Sequence, residues 1–311
     1  MYHATEIEDE IIAWAARQPD FEVVISIPNG LKISNVQKRL LDAAEVIDRT
    51  SARKAGKVAF FPTSLVYTTL PYRNPKVIVY HRKNNGYELL ITGNPDFGVP
   101  FGPHPRLFIC WLVTEIVRTK EKKFTLGNSY AEFLKSVQLP ADSKTRKAVK
   151  NQLMRMQYAN IKVGRTDKHS SRVQSYDFFD SSEFWWNKVD AHQMTIEKSF
   201  VEVSDNFYQI ALKAMPIDLR AIKALRQSPK ALDVYMWLTL RLSHLQNPLD
   251  LTWKQLKEQF GEEGEELDDF RTHFKLVLKK VNLIYHQAKF VISAKNIKLI
   301  SSPAHVQKSV K

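Results

Sequence analysis

The 311-residue chain has a single cysteine, Cys110, which excludes an internal disulfide and a cysteine-built zinc cluster. Secreted disulfide scaffolds drop out with them, and a reducing cytoplasm suits this composition best. Long apolar runs are missing too. The longest strongly apolar stretch, Leu107 to Val113, falls far short of the roughly 18–20 residues a membrane span requires. The start, Met1 to Trp14, is acidic and polar where a secretory leader needs a basic and then an apolar region. A soluble, cytoplasmic protein is the expectation.

Signatures of catalysis are equally scarce. The ten glycines form neither G-x-x-x-x-G-K-[ST] nor G-x-G-x-x-G, and the nearest approach, Gly98-Val-Pro-Phe-Gly102, is interrupted by proline. The nine histidines never stand at i, i+2 or in H-E-x-x-H, which argues against a strand-nicking relaxase and a zincin helix. Asp177, Asp180 and Glu183 form the one carboxylate cluster outside an exposed loop. They read as solvated strand or turn residues, since a two-metal nuclease wants carboxylates converging from different elements. Cys110 lies among Phe108, Ile109, Trp111 and Leu112, with nothing nearby to lower its pKa, so it reads as a packed core thiol. No catalytic residue, metal site or cofactor is expected.

What the chain has in excess is positive charge. Its 46 Lys and Arg outnumber 33 Asp and Glu, for a net +13. Such a surface collects polyanions, either nucleic acid or an anionic membrane face. The length suits two domains, and 44% apolar with 11% aromatic residues is enough for two cores.

Apolar spacing predicts helices over Glu6 to Arg17 and Val36 to Ile47, with an alternating strand from Phe21 to Ile27 between them. Strands follow at Val58 to Phe61, Lys76 to Tyr80 and Tyr87 to Thr92, the last two flanking the hairpin signal Lys83-Asn-Asn-Gly86. Next come a Trp-bearing helix from Pro105 to Arg118, a short strand Phe124 to Leu126, and a helix opened by Ser129. A longer helix from Lys144 to Tyr158 leads to two strands, Ile161 to Val163 and Arg172 to Phe179.

That order is the order of a winged helix-turn-helix, and it recurs. After Phe200 to Val203 and a helix from Asp205 to Met215, Ser228 to His244 is a second Trp-bearing helix. Leu251 to Trp253 follows as the short strand, Lys254 to Phe260 and Leu267 to Val281 as helices, and Leu283 to Tyr285 with Lys289 to Ile300 as the ribbon. The expected fold class is α+β: two tandem winged helix-turn-helix domains, at 58–198 and 199–311, after a mainly helical N-terminal extension at 1–57.

Chemistry separates the two long helices. In the second, Phe270, Phe274, Val277, Leu278 and Val281 form a buried stripe, leaving Arg271, Thr272, Lys275 and Lys279 on the face a major groove would receive. These four are the expected base-reading residues. In the first, Lys144, Arg146, Lys147, Lys150 and Arg155 continue into Lys162, Arg165, Lys168 and Arg172 on the ribbon. Residues 141–175 alone carry a net +7, a density suited to gripping phosphate. The acidic run Glu262-Glu-Gly-Glu-Glu266, with Asp268 and Asp269, would repel phosphates and is expected to face away from DNA. The aromatic group Phe178, Phe179, Phe184, Trp185 and Trp186 reads as core or interdomain packing.

Several segments are distinctive in combination: Leu70-Pro-Tyr-Arg-Asn-Pro75, Tyr80-His-Arg-Lys-Asn-Asn-Gly86, Phe101-Gly-Pro-His-Pro-Arg106, Thr114-Glu-Ile-Val-Arg-Thr119 and Leu126-Gly-Asn-Ser129. So are Ser228 to Leu238, Leu251-Thr-Trp253, Gln259-Phe-Gly261 and Phe270-Arg-Thr-His-Phe274. Together, over roughly residues 58 to 303, they resemble the RepA-type plasmid replication initiators. The resemblance implies a non-enzymatic initiator that binds direct repeats, or iterons, of duplex origin DNA. It also implies opening of an adjacent AT-rich region, recruitment of the host helicase and chromosomal initiator, and autorepression by a homodimer in equilibrium with monomer, with no membrane partner. In related initiators the first winged helix forms the dimer, making the hairpin from Val77 to Thr92 the implied interface. The rival readings are a dimeric winged-helix repressor on an inverted repeat and a nicking relaxase or primase.

Overall fold

The computed structural model describes residues 35–127, 129–166, 171–184 and 199–307. The helix and strand expected between Glu6 and Ile27 lie outside these residues, as do Lys168, Trp185 and Trp186.

Helix α1, Asn35–Arg49, buries Leu40, Leu41, Ala44 and Ile47, the spacing that predicts it. Strand β1, Val58–Phe61, is followed by the hairpin β2, Val79–Asn84, and β3, Tyr87–Thr92. Its two-residue turn sets both Asn85 (φ 42°) and Gly86 (φ 81°) in the left-handed region, which Asn and Gly tolerate best. Helix α2, Pro103–Thr119, starts on the proline-rich loop two residues earlier than the sequence predicts. Strand β4, Lys123–Thr125, leads to α3, Tyr130–Ser136, whose N-cap Ser129 accepts from the Glu132 amide. In α4, Ser143–Gln157, Asp142 caps the first turn through the Thr145 amide. Strands β5, Asn160–Thr166, and β6, Ser171–Asp177, extend the hairpin into a sheet of order β2-β3-β5-β6.

The strand expected over Arg172 to Phe179 is divided: Phe178, fully buried, separates β6 from β7, Phe179–Glu183. Strand β8, Phe200–Val203, lies between β4 and β7. The next helix, α5, Asp205–Leu212, is shorter than its apolar pattern suggests, because Met215–Asp218 forms a strand, β9, paired antiparallel with β1. Three strand pairings, β1–β9, β4–β8 and β7–β8, therefore cross residue 199.

Helices α6, Leu219–Leu225, and α7, Pro229–Leu242, precede β10, Leu249–Thr252, and α8, Trp253–Phe260. Thr252 and Gln255 form a capping box, which draws Trp253 into the helix and not into the strand. The last helix, α9, Leu267–Ile284, absorbs Leu283 and Ile284, since Ile284 completes its buried stripe. The ribbon after it is β11, Lys289–Ile292, and β12, Asn296–Ile300, in a sheet of order β10-β12-β11. Helix, short strand, helix, helix, ribbon thus occurs twice, with one difference. In the second unit the short strand β10 joins the ribbon, whereas in the first β4 pairs with β8. Helix α1 packs against α6 and α9, and so belongs spatially with the second unit.

Candidate nucleic-acid interface

Buried Val149, Leu153 and Met156 hold α4 against the core, so the opposite face turns outward. Lys144 and Lys147 are exposed there, with Arg146 and Lys150 half-buried beside them. On β5, Lys162 and Arg165 are exposed, and the Arg165 guanidinium stands 5.3 Å from the Tyr87 ring centre. Arg172 is paired with Arg165 across the ribbon by backbone register, and its side chain lies outside the described residues. Arg155 is turned the other way. Its Nε donates to Asn151 Oδ1 (2.8 Å), its Nη1 donates to the Val99 carbonyl (3.1 Å), and its guanidinium covers Phe101. Burial lowers its pKa, and its hydrogen bonds brace the loop before α2.

On α9, Phe270, Phe274, Leu278 and Val281 are fully buried and Thr272 is exposed. Arg271 and Lys275 both lie over the Trp253 indole, at 5.7 and 5.6 Å. Arg271 also donates to Asp268 Oδ1 (2.9 Å) and to the Ala294 carbonyl in the β11–β12 turn (3.1 Å). Trp253 Nε1 donates to the Ser293 carbonyl of the same turn (3.3 Å). The helix face and the ribbon tip are therefore joined through Arg271 and Trp253. Lys279 is half-buried, one turn beyond Lys275. Exposed Lys289, Lys295 and Lys298 add to this edge, cations that the helix-centred sequence reading passes over.

The acidic run is partly spent inside the protein. Glu262 meets Arg73 (3.2 Å) and Lys230 (4.0 Å), while Glu265 meets Lys230 (3.6 Å) and His273 (3.3 Å). Burial lowers the Lys230 pKa and the two carboxylates oppose that shift. Glu263, Glu266, Asp268 and Asp269 remain exposed.

Beside this loop the two units are clasped together. Arg106, in the first turn of α2, and Asp233, in α7, form a bidentate pair with both contacts at 2.7 Å. Their side chains are 1% and 6% exposed. The remaining Arg106 donors reach the carbonyls of Gly102, Leu70 and Pro71. Burial pushes the Asp233 carboxyl up, and the guanidinium opposes it. Arg82 of β2 donates to the Gln259 and Gly261 carbonyls at the end of α8, each at 2.7 Å, a cation on a helix C-terminus. The motif residues Leu70, Arg82, Arg106 and Asp233 are thus junction residues. Sequence alone cannot pair residues 127 positions apart.

Among the described residues, no group of three His, Cys, Asp or Glu is placed to hold a metal, and no helix is long and apolar enough to cross a membrane. Cys110 is buried and its thiol is pushed up to about 12. Asp177, Asp180 and Glu183 are exposed, while Phe178 and Phe179 are buried in the core. A cleft of about 860 Å³ between α1 and the C-terminal segment holds Arg49, Arg220 and His286. Each is already paired with a carboxylate, of Glu45, Asp218 and Asp48 respectively.

Comparison with known proteins adds to the geometry. Crystal structures of domains 2 and 3 of RctB are similar in fold, with a TM-score of 0.51 at 10% identity, covering 78% of this chain and 97% of that one. A selenomethionine form of the same RctB domains matches with the same TM-score and identity, covering 77% and 98%. No curated protein matches the sequence significantly. The family described as "Plasmid encoded RepA protein" matches residues 99–255, half of the chain, and includes α2 to α7 with the basic helix α4 and both partners of the Arg106–Asp233 clasp. The chain belongs to this family of plasmid replication proteins.

Proposed function

We propose that the protein is a plasmid replication initiator that binds duplex DNA at the plasmid origin through two winged helices. The observation that carries this reading is the pair of helices α4 and α9, each followed by an antiparallel ribbon and each bearing outward cations, in a chain of the RepA family. The β10-β12-β11 sheet order, with the strand before α8 joined to the last strand of the ribbon, supports a winged helix in the second unit. In this reading α4 and β5–β6 grip phosphate through Lys144, Arg146, Lys147, Lys150, Lys162, Arg165 and Arg172, and α9 reads base edges through Arg271, Thr272, Lys275 and Lys279. Arg155 acts through loop packing.

The target is a set of direct repeats, the adjacent AT-rich DNA is opened, and the host helicase and chromosomal initiator are recruited without any covalent step by this chain. A homodimer represses its own promoter. Strand β2 supports that dimer: it lies at a sheet edge, and Val77, Ile78 and Val79 before and within it are 40%, 46% and 52% exposed. The test is footprinting of the purified chain on the DNA flanking its reading frame. Protection of several head-to-tail repeats of about two helical turns, roughly 20 base pairs, is the expected result. Protection of one inverted repeat alone would favour the dimeric repressor, and nicking with Mg²⁺ or Mn²⁺ would favour an enzyme.

A further inference from the structure

The two DNA-facing helices are connected by an unbroken run of packed elements. Helix α4 packs on α2, α2 is fixed to α7 by the buried Arg106–Asp233 pair, and α7 packs on α9. A second attachment runs beside the first. Arg82, on the sheet that carries the β5–β6 ribbon, donates to the last carbonyls of α8, while Gln259 Nε2 donates to the Val66 carbonyl (3.0 Å) and Thr69 Oγ1 to the Gln259 carbonyl (3.3 Å). A third consists of Glu262 and Glu265 around Lys230 and Arg73. The fourth is the β1–β9 ladder. A hinge needs one connection about which the rest can turn. Arg82, Arg106 and Lys230 all lie within 6.0 Å of the Tyr72 ring centre, and the β1–β9 ladder adds a backbone attachment between other elements. No single connection is then left to act as the axis, and the low dielectric around Arg106 and Asp233 makes their separation costly.

We infer that this junction is a fixed calliper: Arg82, Arg106 and Asp233 are positioning residues that set the angle between α4 and α9, so binding depends on the rotational phase between the two halves of the DNA site. This rests on the proposed reading that both helices face DNA. B-DNA turns once in about 10–10.5 base pairs over roughly 34–36 Å, so a two-base-pair insertion between the halves rotates one by about 70° and shifts it about 7 Å. A rigid body cannot follow that displacement, whereas a tethered pair of domains can.

The experiment uses the full chain and a duplex selected from a random-sequence pool, with the two halves located by footprinting. Affinity is measured on that duplex and on versions with two base pairs inserted or removed between the halves, for the native chain and for Arg82→Met. The native chain should lose about 30-fold or more on the altered spacings, and Arg82→Met should lose at least tenfold less than that. A native penalty below about threefold overturns the inference, as does an Arg82→Met penalty equal to the native one. A DNA-free measurement separates this outcome from failure of the functional reading. Spin labels at Lys147→Cys and Thr272→Cys, with the buried Cys110 left in place, should give one narrow distance in the native background and a broader distribution with Arg82→Met. A broad native distribution overturns the calliper whether or not any DNA is bound. Selection of no DNA together with a narrow distance overturns the functional reading and leaves the rigid junction standing.

Discussion

Arg106 and Asp233 lie 127 residues apart and meet through two 2.7 Å hydrogen bonds with almost no exposure to solvent. The pair joins the N-terminal turn of α2 to α7, and the backbone carbonyls of Leu70, Pro71 and Gly102 occupy the rest of the guanidinium. Removing one partner strands the other charge in a low-dielectric site.

Arg106→Met or Asp233→Leu alone should therefore lower unfolding free energy by about 3–5 kcal/mol. The double variant should recover a large part of that loss, since an apolar pair of similar volume carries no desolvation cost. Urea titration of the four proteins checks it; additive losses in the double variant would show that the two residues do not act as a pair.

Acid should weaken the fold through His305. Its ring lies tilted against Tyr285, with ring centres 4.6 Å apart, and its Nδ1 is 2.7 Å from the Tyr235 hydroxyl, which accepts from the Asp218 amide. Burial pushes its pKa down to about 4. The unfolded chain, with a histidine pKa near 6.5, binds the proton first. Stability is then full above about pH 7 and falls as pH drops from there toward 4, by an amount on the order of 2–3 kcal/mol. His305→Asn should flatten that stretch of the curve in urea titrations at pH 7, 5.5 and 4.5.

His286 runs in the opposite sense. Its hydrogen bond to Asp48 on α1 raises its pKa, so this contribution is complete below about pH 6.5 and is lost as pH rises through the raised value. Hydrogen exchange of α1 amides should be faster at pH 8 than at pH 6 after correction for intrinsic rates, and Asp48→Asn should remove the difference.

Arg271→Ala should cost about 1–3 kcal/mol on the selected repeat and relax discrimination at one base pair, whereas Lys147→Ala should weaken all duplexes alike. Equal losses for Arg271→Ala on selected and random DNA would assign Arg271 to holding the Ala294 turn and not to reading bases.

If six to ten phosphates are contacted, affinity should fall by about 10³–10⁵ between 50 and 200 mM salt. A flat response would remove the phosphate-gripping role from α4 and β5. Glu262→Gln with Glu265→Gln should change affinity little and lower stability, because both carboxylates face Lys230. A large gain in affinity would place that loop against the duplex.

Local order was legible wherever one short segment carries its own signal. Asn85-Gly86 sets the hairpin, Ser129 and Ser228 cap α3 and α7, and the stripe of Phe270, Phe274 and Leu278 defines α9. Strand β9 was not legible: Met215-Pro-Ile-Asp218 follows α5 without a break in apolar spacing, and its extended form comes from β1, more than 150 residues earlier. For the same reason Arg155 passed as one more basic residue of α4. Only the tertiary position of Val99 and Phe101 ties it to the loop before α2.

The pairing of β1 with β9, and of β4 and β7 with β8, bears on how the chain is made. The first unit's small sheets close only when residues 200–218 have emerged from the ribosome, long after α2 to α4. Synthesis therefore exposes a half-built first unit until the start of the second arrives. The two units mature together, and a chain stopped near residue 198 lacks the strands that seal its own core.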